Sequence, residues 1–175
     1  MTSNMSILCD RAERSSGLIL ENLSRLGAAL ADVQAEIAKM PFLVRGFVSS
    51  EIKKTGRDLP EWAKTVERLS AAMHEVQAVV ERARSAGRVG EADRATLTRV
   101  HEQVEAERGG LDALVGFMRQ APARIQAVPT AMLPADRRGE LVGAIESQAE
   151  ALEAILSAMP DLTAALEGLA AGDGA

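Results

Sequence analysis

Residues 19–48 read ILENLSRLGAALADVQAEIAKMPFLVRGFV, and their apolar members advance by fours and threes: Ile19, Leu23, Leu26, Leu30, Val33, Ile37, Met40, Val44, Phe47. The same stepping reaches back through Ser16, Ala12 and Cys9 to Met5. An α-helix turns once in about 3.6 residues, so this spacing lays a single apolar stripe along one side of a long helix. A stripe this narrow is a seam that packs along other helices, as in a coiled coil or a long bundle.

The pattern recurs three times. Trp62, Val66, Leu69, Met73, Val76, Val80 and Ala83 form a second seam. Leu97, Val100, Val104, Leu111, Leu114 and Met118 form a third, with a polar lapse at Glu107. Leu141, Ile145, Gln148, Leu152, Ile155 and Met159, then Leu162, Leu166 and Leu169, form the fourth. The apolar mass is mostly Ala, Leu, Val and Met, with 2% aromatics and no Tyr, and no period-two run argues for a strand. The predicted fold is therefore all-α: an elongated antiparallel four-helix bundle, coiled-coil-like, with proline-kinked helices. One domain is expected over residues 1–170, with helices at about 5–54, 60–86, 91–120 (reaching on to about 132) and 135–170, and a frayed tail at 171–175.

The prolines carry most of the detail. A proline inside a helix removes one backbone hydrogen bond and clashes with the preceding turn. Across Pro41 the seam keeps its phase through Met40, Val44 and Phe47, which predicts a kinked helix carried on to about Lys54. Ser3 or Ser6 is the expected N-cap of that helix. Thr55-Gly56-Arg57-Asp58 reads as a capping glycine followed by the next N-cap. Pro60 falls in a first turn, where its missing N–H costs nothing. Ala121, Ile125, Val128 and Met132 continue the third seam past Pro122 and Pro129 as a kinked or broken helix, unless the two prolines, seven apart, mark an extended connector, while Gly109-Gly110 weakens that helix midway. A first helix carried past Pro41 would extend about 75 Å, against about 40 Å for the second. Its far seam stays bare unless the chain folds back at Pro41 or meets a second copy, which brings in a homodimer.

Charge is unevenly spread within a net of −5. Lys39 to Arg68 holds seven bases and four acids, whereas 139–175 holds seven acids and no base. Net acidity and the lack of aromatic stacking platforms argue against a nucleic-acid partner. The first sixteen residues contain Asp10, Arg11, Glu13 and Arg14 where a signal peptide needs an apolar core, and no window is long and apolar enough to span a bilayer. A cytoplasmic location is the expectation.

Catalytic chemistry has little to stand on. A di-iron bundle needs Glu three residues before an inward His, but Ala71 and Thr98 precede His74 and His101. His101 and Glu105 share a helix face, enough for a surface ion at most. A phosphotransfer histidine is usually followed by Lys and Gly, whereas Glu75-Val76-Gln77-Ala78 follows His74. The lone Cys9 sits on the seam, where a buried thiol is inert. No P-loop, nucleophile elbow or dinucleotide fingerprint is present. No cofactor, no metal and no enzyme are expected, with a metal-binding or phosphotransfer bundle the last alternative.

The segment with most functional promise is 40–48, MPFLVRGFV, which holds two of the three phenylalanines. On a continuous helix Phe42 lies about 200° from Met40 and faces away from the seam. If the helix breaks at Pro41, Phe42 folds into the end of the bundle instead. An outward Phe beside bases suits a partner helix or an anionic lipid surface. The expected function is a non-enzymatic bundle that binds another protein, or itself, as adaptor, assembly factor or regulator. Phe42, Arg45, Phe47, Lys53 and Lys54 are its candidate contact residues. The alternative is a protein that coats a lipid or inclusion surface.

Overall fold

A computed structural model describes residues 3–54 and 59–172. Among these the regular structure is entirely helical: α1 (Ser3–Ala38), α2 (Phe42–Lys53), α3 (Leu59–Ala86), α4 (Glu91–Gln126) and α5 (Ala135–Ala170). The seams predicted from sequence form the core, with Leu26, Val76 and Leu152 all buried. No described helix is long and apolar enough to cross a membrane.

The four long helices run up-down-up-down. α1 packs between α5 and α3, and α4 packs between the same two, so the four close around one core. Ion pairs fix the directions. Arg84 of α3 reaches Asp10 and Glu13 of α1, and Arg11 reaches Asp161 of α5, all at one end. Arg137 of α5 approaches Glu36 of α1 at the other end. The α1–α5 interface is the most extensive. Its cause is side-chain size: α5 buries Ala144, Ala149, Ala151, Ala158 and Ala165, and α1 buries Ala12 and Ala29, which lets the two backbones close in. At Gly168 even a Cβ would lie 3.0 Å from the Leu8 side chain.

The first helix does not continue past Pro41. α1 ends at Ala38, and the Met40 amide donates to the Ile37 carbonyl in a tightened last turn. Pro41 is extended, with φ −57° and ψ 152°, and its carbonyl accepts the Arg45 amide at 2.9 Å, opening α2. The phase resets with it. Val44, Val48 and Ile52 are buried, whereas Phe47, predicted on the seam, faces out. α2 packs against α1 and α4, the same two neighbours as α3. It fills the corner of the bundle that α3, 28 residues long against 36 for the others, leaves uncovered. Folding back at Pro41 thus covers the first seam without a second copy.

The other prolines divide. Pro122 and Pro160 sit inside α4 and α5, which run on. The predicted extension to about 132 fails, because α4 ends at Gln126. Pro129 instead heads a turn whose carbonyl accepts the Met132 and Leu133 amides. Val128 stays buried, but Leu133 takes the core position expected of Met132, which is exposed. Pro134 then starts α5 as Pro41 starts α2, with φ −57° and ψ 151°. Ser6 lies within α1 and caps nothing. The turn expected at Thr55–Asp58 and the tail at 173–175 lie outside the described residues.

Candidate functional site: the exposed face of α2

A helix of 12 residues held on one side by Val44, Val48 and Ile52 must show its opposite side to water. In most surface helices that side is polar. Here it carries Phe42 and Leu43, each 79% exposed, and Phe47, 46% exposed. Leu43 and Phe47 are four apart and stand on one line, with Phe42 about 100° round. Phe42 therefore realises half of each expectation: the helix breaks at Pro41, yet the ring points outward.

The bases surround this face. The Arg45 guanidinium carbon lies 6.0 Å from the centre of the Phe42 ring, at the outer reach of a cation–π contact. Lys54, the C-cap, is paired with Glu51 at 2.6 Å. Arg45 and Lys53 have no carboxylate within ion-pair distance among the described residues. Of the five residues predicted from sequence, Phe42, Arg45, Phe47 and Lys53 lie in α2 and Lys54 is its C-cap. Sequence reasoning missed Leu43 and Met132. The clue for Leu43 was the +4 spacing of Val44, Val48 and Ile52, which turns Leu43 outward once the helix restarts.

Behind α2, an electrostatic cluster ties α1 to α5. Glu36, only 8% exposed, accepts from Lys39 at 2.9 Å and lies 3.5 Å from Arg137. The hydrogen bond from Lys39 holds its carboxyl below the usual glutamate range, against the opposing effect of burial. In the first turn of α5, Arg138 donates to the carbonyls of Gln126 at 3.2 Å, Val128 at 2.5 Å and Leu133 at 3.1 Å. That guanidinium locks the chain between α4 and α5, and so fixes where Met132 stands.

Elsewhere the chemistry is sparse. Cys9 is fully buried, and burial pushes its thiol up despite Arg84 nearby. His74 is exposed and His101 half-buried, and among the described residues no three His, Cys, Asp or Glu side chains gather as a metal site. Mid-bundle, Leu26, Trp62, Leu111 and Leu152 border a void of about 20 Å³ to a water-sized sphere. Its lining is mostly carbon, and space for about one water is too little for a ligand. No protein-family model, curated protein or solved structure matches this chain.

Proposed function

We propose that this is a non-enzymatic binding protein, of the adaptor, assembly-factor or regulator kind, that engages its partner through the α2 end of the bundle. The observation that carries the reading is the pairing of three outward apolar side chains, Phe42, Leu43 and Phe47, with the free cations of Arg45 and Lys53. Water penalises exposed apolar surface by roughly 25 cal/mol per Å², so large apolar side chains kept together on one exposed face mark a contact surface. The long helices are the scaffold in this reading. They seat α2 along Val44, Val48 and Ile52, and their own exposed large apolar side chains, Ile7, Leu18 and Phe117, are spaced apart along α1 and α4.

The partner must present apolar groups to the rings and negative charge to the bases. An acidic amphipathic segment of another protein meets that description, and so does an anionic lipid layer. The test places a photo-crosslinking residue at position 42 or 47 in cells, with position 85 or 164, both exposed and toward the opposite end of the rod, as controls. Crosslinks to a protein or a lipid should form from 42 and 47 well above the controls. Equal yields from all four positions would discard α2 as the contact surface.

A further inference from the structure

We infer that the α2 end docks on an anionic phospholipid surface, an inference that rests on reading that end as the contact surface. Phe42, Leu43 and Phe47 enter the headgroup layer, and Arg45 and Lys53 meet lipid phosphate and carboxylate groups.

The apolar side chains stand together at one end of the rod. Phe42 and Leu43 occupy the first turn after Pro41, at the tip of the rod, and stand out from it rather than lining a groove. Met132, 41% exposed, adds a further apolar side chain at the same end, because the chain from α4 enters α5 beside the Glu36–Arg137 pair. Three such side chains on α2 offer on the order of 400 Å² of apolar surface. That is close to the apolar share, just over half, of the roughly 800 Å² each partner gives to a typical protein interface, so area does not separate lipid from protein and charge must. A lipid layer requires no matching shape, and a short helix with apolar and basic residues side by side is the usual means of lying against one.

Charge points the same way. The segment 39–54 holds four bases and one acid; Lys54 pairs with Glu51 and Lys39 with Glu36, which leaves Arg45 and Lys53 without a carboxylate partner among the described residues. Residues 139–175 hold seven acids and no base; the first, Glu140, lies beside Glu36 and Lys39, and the others run along α5 toward the opposite end. The α2 face therefore carries two unpaired positive charges on a chain of net charge −5, so a negative surface attracts that face ahead of the rest of the rod. The same distribution disfavours a second copy as the occupant. Two α2 faces, each carrying Arg45 and Lys53, repel each other, so a symmetric pairing through this face is disfavoured.

The experiment is flotation of the full chain with phosphatidylcholine vesicles, with and without about 30% phosphatidylserine. The wild type should float with the anionic vesicles and at least tenfold less with the neutral ones. Phe42→Ser with Leu43→Ser should lower that binding tenfold or more, and Arg45→Glu with Lys53→Glu should lower it several-fold and abolish its salt dependence. All four positions are exposed, so unchanged helicity by circular dichroism separates these effects from unfolding. Binding indifferent to phosphatidylserine, or to the loss of Phe42 and Leu43, overturns the inference. If the vesicles fail while a crosslinker at position 42 captures a protein, the occupant is an acidic protein segment and the binding reading survives. If both fail, both readings fall.

Discussion

The two ends of the rod are built on different terms. At the hairpin end, where α1 begins, α3 turns into α4 and α5 finishes, each feature closes the structure. Arg84 spans Asp10 and Glu13, Arg11 reaches Asp161, and Arg82 meets Asp93 at 2.8 Å. Gly87 and Gly172 take φ of 72° and 73°, the left-handed conformation that lets a helix stop and its last carbonyls find donors. At the α2 end the chain is interrupted twice, Phe42, Leu43 and Met132 face water, and polar groups are less completely paired. The buried side-chain atoms that lack a hydrogen-bond partner among the described residues are Glu36 Oε2, Trp62 Nε1, Arg138 Nε and both amide atoms of Gln148. All of them lie in the half of the rod nearer α2. One end is optimised for closure, and the other keeps features that closure alone does not explain.

That contrast is open to direct attack, most forcefully by truncating matched core residues. Leu166→Ala, fully buried toward the hairpin end, should cost about 2–5 kcal/mol in urea unfolding. Ile52→Ala should fall at or below the bottom of that range, because α2 is held by a single stripe and can settle into the gap. Equal losses would show that α2 is as firmly packed as the rest. Next in size is Gln148→Leu. The amide is 1% exposed with neither polar atom bonded, so the leucine should raise stability by about 1–2 kcal/mol. A loss instead would mean that the amide is satisfied in solution, by water for instance.

Arg138→Ala should cost about 1 kcal/mol and speed amide exchange across 127–134, since three carbonyls lose a charged donor. Exchange at 87–90 should not change; if it does, the two ends are coupled. The smallest effect concerns acid. The folded-state pKa of Glu36 is depressed, so its contribution is present above the ordinary glutamate value of about 4.3 and is lost as pH falls through the lower folded value. Glu36→Gln should therefore show a shallower fall in unfolding midpoint below pH ~4 than the wild type. Parallel acid limbs would remove Glu36 from the latch between α1 and α5.

Most of the core was legible in the sequence because each long helix repeats one narrow stripe many times. Leu23, Met73, Val104 and Leu152 could each be placed inside from spacing alone, and each is buried. The candidate contact face was legible in part. Phe42, Arg45, Phe47 and Lys53 do lie on one helix, with Lys54 at its C-cap, but Leu43 was missed and Phe47 was first assigned inward. Both errors share one cause: a helix that restarts at Phe42 resets its phase, and a twelve-residue helix has too few turns to announce the reset. Met132 and Leu133 exchanged roles for the same reason, since the turn headed by Pro129 replaces helical periodicity with its own geometry.

From the sequence alone came four apolar stripes, and with them an all-helical chain that buries the stripes against one another. Whether a given proline ends a helix was decided by tertiary structure. Pro41, Pro122 and Pro160 each forfeit a helical hydrogen bond at similar local cost, about 3 kcal/mol. Beyond Pro122 and Pro160 a continuing helix still meets the bundle, and Ile125, Leu162 and Leu166 remain buried. Beyond Pro41 a continuing helix would have run past the ends of its neighbours and left Val44, Val48 and Ile52 in water. Burial therefore outweighed continuity at that one site, and the fold-back it forced is what turns Phe42 and Leu43 to the outside.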